Sequence, residues 1–284
     1  LRILNEDKEV VFSRKFILFE NHCTVGAQVK RSRTLNNIDY KQNLEFTILS
    51  NDIAFQTPIQ NVKVLLLQNG DFSTSIKNIV PQYTIGNELV YKYDKETQFW
   101  GSNEFLYFEN KDIRGNANNV NYVESKELYH SHLYINQARG NQVYTYNPDI
   151  NGNFFVNNFN AQNNDVEADY AWVFFILDAP AYFGKNDIYI NGMFNNYALG
   201  EENRMDFNKK TGKYEKALVI KQGFTNFQYV IADKSGKIDY ENAIDGNFFQ
   251  TENEYTVLVY YKENTDRYTR IIGKGTASSL NIIN

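Results

Sequence analysis

Between Asn186 and Ile231 the chain runs NDIYINGMFNNY, then a charged loop through Arg204-Met205, then TGKYEKALVIKQGFTNFQYVI. Three short alternating runs are punctuated by Asn191-Gly192 and Thr211-Gly212, pairs that favour tight reversals of the chain. Apolar residues at every second position put one side of a strand in a core and the other in water. The block therefore reads as consecutive antiparallel strands of a β-sandwich, with no residue set resembling a catalytic cradle.

The same period recurs along most of the chain. Leu44, Phe46 and Ile48 share one face, Val62, Val64 and Leu66 run up to the Asn69-Gly70 turn, and Leu89, Tyr91 and Tyr93 come next. Phe105, Tyr107, Tyr129, Leu133, Tyr144 and Tyr146 complete a first set of roughly seven or eight strands. Further strands are predicted at Asp187–Met193, Tyr214–Lys221, Phe224–Ala232 and Glu254–Lys262, with Gly273 to Asn284 read as a fading tail. Long amphipathic helices are missing; one-turn pieces are expected near Asn103–Phe105 and Glu241–Asn247.

A break falls between Asn151 and Asp169, where Asn, Gly and Asp crowd together as they do in turns and linkers. It divides the chain into two antiparallel β-sandwich domains in tandem, 1–160 and 161–284, which suits a length of 284 residues. Phe154, Phe155 and Phe159 inside the break are expected to dock against a domain face and stiffen the pair. YAWVFFIL, Tyr170 to Leu177, is apolar on both faces and predicts a strand buried on both sides. Trp172, Phe174 and Ile176 are expected under the interdomain face, packed on those connector phenylalanines.

Composition narrows the function. The net charge is −5, which argues against nucleic acid, because phosphate neutralisation needs a basic face. No run of about 18 apolar residues offers a transmembrane helix. The chain opens on Leu1, as a mature product does after removal of a signal segment and as a trimmed chain would. Phe and Tyr each occur 21 times, enough to build sizeable cores and to place amphipathic rings at their rims.

Reactive groups are sparse. His130 and His132 would share one strand face at a metal-ligand spacing, with no Cys, Asp or Glu cluster recognised to complete a site. Cys23 is the sole cysteine, so no internal disulfide forms; it is expected to be a buried small hydrophobe. His22 beside it points to the opposite face and makes no dyad. Acid pairs such as Glu201-Glu202, and Asp187 with Asp206, read as solvated loop groups. Lys30-Arg31-Ser32-Arg33 reads as an exposed loop tip. Tyr197, with Tyr189, marks where a sugar-binding sandwich would carry an aromatic platform. No G-x-S-x-G, phosphate-binding loop, dinucleotide fingerprint or H-E-x-x-H is present. No catalytic, cofactor-binding or metal-binding residue is assigned, and no cofactor is expected.

Gly192, Phe194-Asn195, Tyr197, Met205, Gly212, Tyr214-Glu215 and Phe227-Gln228-Tyr229-Val230 resemble the pattern of the early-set, glycogen-binding-like sandwich. That likeness implies an Ig-like fold and no particular function. A wider set, FWGSNEFLYFENKDIRG (Phe99 to Gly115), YNPDINGNFF (Tyr146 to Phe155), Ala168 to Val173 and LVIKQGFTNFQYV (Leu218 to Val230), resembles the Bacteroidetes type IX secretion system plug protein family. The resemblance implies a noncatalytic, two-domain, all-β protein of the periplasm. Such a protein occludes the periplasmic opening of the outer-membrane translocon barrel (SprA/Sov) when no substrate is passing. No motif marks the barrel interface. Asn-dense loops, Asn110 to Asn121 and Asn157 to Asn164, are expected to offer it donors and acceptors, with a few Tyr and Phe anchors. The alternative is a carbohydrate-binding or adhesion module of the same compartment.

Overall fold

The computed structural model describes residues 1–13, 15–179, 186–280 and 282. A hairpin of β1 (Arg2–Leu4) and β2 (Val10–Ser13) precedes β3 (Cys23–Arg31), β4 (Lys41–Ser50), β5 (Val62–Gln68), β6 (Asp71–Lys77), β7 (Tyr83–Ile85), β8 (Glu88–Tyr91) and β9 (Gln98–Trp100). Next come β10 (Leu106–Glu109), β11 (Val120–Glu124), β12 (His130–Leu133), β13 (Asn136–Gln137), β14 (Phe154–Val156) and β15 (Tyr170–Asp178). After these run β16 (Asn186–Asn191), β17 (Asp206–Asn208), β18 (Lys213–Lys221) and β19 (Gly223–Asp233). The last two strands are β20 (Glu254–Tyr261) and β21 (Arg270–Ser278). The all-β sandwich architecture read from the alternation is the one observed. Helix is confined, among the described residues, to single turns at Pro58–Asn61, Asn164–Glu167 and Met193–Asn195, and neither expected one-turn piece is helical.

Strand partnership departs from the tandem reading. One sandwich stacks the sheet β3-β4-β8-β7, with β9 also on β4, against the sheet β21-β20-β5-β6. The other pairs β10-β19-β14, with β16 on β19, against β11-β12-β15-β18-β17, with β13 on β15. Domain bounds of 1–160 and 161–284 therefore fail: the second sandwich is inserted into the first, whose last two strands come from the far end of the chain. β20 seats seven residues on β5, from Tyr255 opposite Gln68 to Tyr261 opposite Val62. The expected fading tail is β21 up to Ser278; Asn281, Ile283 and Asn284 lie outside the described residues.

Each sandwich has its own core. Leu44, Phe46, Ile48, Val64, Leu66 and Tyr91 meet Tyr255, Val257, Val259, Tyr261 and Ile272 in the first, where Phe46 stacks on Tyr91 at 4.3 Å. Cys23 belongs to this core and donates to the Ile272 carbonyl at 3.4 Å; burial pushes its thiol up to about 11, so it stays protonated. A Cβ on Gly273 would come within 2.2 Å of the Cys23 Sγ, so this close approach of β21 to β3 requires glycine. In the second core Phe108, Phe175 and Phe227 meet with ring centroids 5.0–6.1 Å apart.

The interdomain crossings are at Gly101-Ser102 and Asn247-Phe248, not at 151–169. The outgoing and returning segments run side by side: Phe248 N donates to Ser102 O at 2.9 Å, and Asn253 Nδ2 to Gly101 O at 2.9 Å. A Cβ on Gly101 would sit 2.1 Å from the Phe248 carbonyl oxygen. The Asn-rich break lies within the second sandwich, contributing β14 and the turn Asn164–Glu167, which Asn163 caps by accepting from Asp165 N. Phe155 and Phe159 are exposed, and Phe154 lies in β14 opposite Thr225. None of the three forms the expected interdomain wedge with Trp172.

Candidate interaction face

β15 is central, as its apolar sequence demands, but it is covered on one side only. Ala171, Val173, Phe175 and Leu177 point into the core and are buried. Tyr170, Trp172, Phe174 and Ile176 form the outer face, where Trp172 is 37% exposed. Trp172 is thus a surface residue, because the first sandwich docks elsewhere.

Register assembles that outer face into rows. Tyr122, His132, Phe174 and Ala217 lie side by side across β11, β12, β15 and β18; Glu124, His130, Trp172 and Val219 form the adjacent row. β12 and β15 run parallel and the other pairs antiparallel. The His132 ring is stacked between Tyr122 at 4.2 Å and Phe174 at 4.3 Å, with planes within 13°. His130 lies 5.1 Å from Phe174 by ring centroids. Tyr122, Tyr170, Trp172 and Val219 are exposed, giving an aromatic surface edged by Glu124, Lys221 and Glu215. Such a mixture of Tyr, Trp and aliphatic area with a charged margin is what protein interfaces use for anchoring.

The two histidines are not alone on this face. Glu124 stands opposite His130 across the β11–β12 ladder, and one ligand atom from each of Glu124, His130 and His132 falls within a 4.8 Å cluster. The His132 Nε2 is buried without a hydrogen-bond partner, 3.6 Å from Glu124 Oε1. Burial holds the His132 imidazole below its ordinary range, against the opposing pull of Glu124. Sequence reading found the H-x-H spacing and missed the acid; the signal was Glu124 on the preceding strand of a short meander.

The other singled-out groups are structural. Tyr197 is buried and its hydroxyl donates to Asn69 O at 3.0 Å, tying the second sandwich to the β5–β6 turn of the first, so it is no sugar platform. His22 lies between Glu20 and Asp52, each at 3.0 Å, which raises its affinity for a proton. The basic run is neutralised rather than solvated: Lys30 pairs with buried Glu45 at 2.9 Å, Arg31 with Asp39, and Arg33 with Glu45 and Asp94. Ser32 is itself buried. Asp187 and Glu201 face Arg204, at 4.0 and 2.6 Å. Several of the loop asparagines bond within the protein: buried Asn110 accepts from Gly223 N, and at the surface Asn119 donates to Tyr107 O and Asn158 to Glu167 O.

A second polar cluster lies beside the domain crossings. Glu104 is buried and accepts from the Tyr144 hydroxyl at 2.5 Å and from Glu252 N at 3.0 Å. Arg139 spans the Glu104 carbonyl and Asp245 at 2.8 and 2.9 Å. Asp149 accepts from Phe105 N and Asn151 N; burial, helped by Glu104 and Glu252, outweighs those bonds and raises its carboxyl to about 7.

Neither a protein-family model nor a curated protein matches the chain. Among solved structures it is similar to a hypothetical protein from Parabacteroides merdae ATCC 43184, with a TM-score of 0.90 and 28% identity. The likeness covers 98% of this chain and 70% of that one.

Proposed function

We propose that the protein is a noncatalytic plug of the type IX secretion system, acting in the periplasm against the outer membrane. In this reading it binds the translocon barrel (SprA/Sov) and occludes its periplasmic opening between substrates. The observation that carries the proposal is the convergence of the segments bearing the family resemblance. Phe99–Gly115, Tyr146–Phe155 and Leu218–Val230 are far apart in the chain, yet they supply β10, β14 and β19 of one sheet. Asn226, wholly buried at their meeting point, accepts from Ile150 N at 2.8 Å and Gly152 N at 3.2 Å. The fourth segment, Ala168 to Val173, enters β15 of the facing sheet, and the start of the first, Phe99-Trp100, lies in β9 of the other sandwich.

Occlusion needs a stopper that holds its shape. The nested connectivity supports that demand, because two adjacent chain crossings resist relative rotation better than a single linker. The outer face of Tyr122, Tyr170, Trp172 and Val219 is the surface we assign to anchoring on the barrel, in place of the Asn-rich loops. The alternative of a sugar-binding module through Tyr197 loses its platform to burial. Isolation of the idle translocon from outer membranes, with co-purifying chains identified, tests the proposal. The protein is expected in the complex, with recovery lowered by combined Trp172→Ala and Tyr122→Ala; its absence from the idle complex refutes the plug.

A further inference from the structure

We infer that Glu124, His130 and His132 form a binding site for one divalent cation of the zinc type, with a further coordination position open on the aromatic face. The inference is independent of the plug reading and rests on the geometry of three side chains.

Residues two apart on a strand project from the same face, so His130 and His132 both stand outward from β12 while Ser131 and Leu133 turn inward and are buried. Antiparallel pairing then sets Glu124 directly opposite His130. The result is two imidazoles and one carboxylate with their ligand atoms clustered within 4.8 Å. The His132 Nε2 and Glu124 Oε1 are 3.6 Å apart, too long for a hydrogen bond. That distance approaches the ~3.4 Å edge of a tetrahedron whose metal–ligand bonds are about 2.1 Å. Lys126 approaches the other carboxylate oxygen, Oε2, at 3.7 Å, so Oε1 faces His132 without the lysine between them.

The site is also partly organised in advance. The His132 ring is held between Tyr122 and Phe174, and Phe174 also borders His130, so little imidazole freedom is lost when a cation binds. Its Nε2 is buried and has no other partner, a condition that a coordinate bond relieves. Two nitrogens and one oxygen favour zinc, nickel or copper over magnesium or calcium, which take oxygen ligands. With three protein ligands, a tetrahedral ion keeps one position for water or for a donor group of a docked partner.

Titration of the purified full chain with Zn²⁺ against a chromophoric competitor tests the site, with Co²⁺ absorption reporting coordination geometry. One equivalent is expected to bind and Co²⁺ to give the intense bands of a tetrahedral ion. His132→Phe keeps a ring in the stack and Glu124→Gln keeps the shape of the side chain, so both retain the fold. Each is expected to weaken binding by more than the roughly 10–100-fold that loss of an outer-shell partner costs. His22→Ala, on the other sandwich, is expected to leave the affinity unchanged. Wild-type affinity no greater than that of His132→Phe, or a Co²⁺ spectrum of octahedral type only, overturns the inference.

Discussion

Removing residues 248–284 separates the nested architecture from a tandem one, because the two arrangements predict loss of opposite halves. In the structure this segment carries β20 and β21, and it supplies Tyr255, Val257, Val259, Tyr261 and Ile272 to the first core, none more than 1% exposed. At about 1.5–3 kcal/mol for each buried side chain, the five together represent roughly 8–15 kcal/mol of burial. A whole domain has a net stability of only about 5–15 kcal/mol, so this loss is of the size of the total. The deletion also strips β5 of one of its two partners from Val62 to Gln68, leaving β6 on its other edge but exposing the vacated side's ladder groups and Leu66 to water. A chain ending at Asn247 is therefore expected to hold a folded second sandwich, whose strands all lie within 102–247, attached to an unfolded 1–101. Limited proteolysis read by mass spectrometry checks this: early cuts should fall between residues 1 and 101, with 102–247 resistant. Protection of 1–160 with selective digestion of 161–247 would refute the argument and restore the tandem division.

Two further outcomes rest on burial and charge. Phe175→Ala is expected to cost about 3–5 kcal/mol in chemical denaturation, whereas Trp172→Ala should cost no more than about half of that, since its ring already meets water and its loss leaves no enclosed cavity; equal losses would show the outer face to be covered. Asp149 has a folded-state pKa raised to about 7, so its favourable contribution is fully present below roughly pH 4 and is lost as pH rises through about 7. Denaturation curves across that window should show falling stability, on the order of a few kcal/mol at most before discounting for solvent, and Asp149→Asn should flatten the fall; an unchanged slope in the variant would refute the assignment.

Alternation and turn chemistry made most strands legible. Asp187–Met193, Tyr214–Lys221, Phe224–Ala232 and Glu254–Lys262 each lie within two residues of an observed strand, because period-two patterning is a local property of the backbone. The burial of Cys23 was legible for a different reason, the tendency of a lone thiol to pack as a small hydrophobe. The candidate face was only half legible. Spacing alone put His130 and His132 on one side of a strand, but the register of β11 brought Glu124 opposite, and register depends on the intervening turn.

By itself the sequence determined which residues form strands and which side of most strands seeks a core. It did not determine which core. An alternating strand is satisfied by any apolar face of matching size, so nothing local distinguishes β20 pairing with β5 from β20 pairing within 161–247. For the same reason YAWVFFIL, apolar on both sides, announced a demand for burial that only one side obtained. Trp172 was left at the surface because the first sandwich closed on β20 and β21 and docked through Tyr197 and the Gly101–Phe248 crossing. Those choices were made by long-range fit, the joint packing of elements nearly two hundred residues apart, and they exist only once the chain has folded.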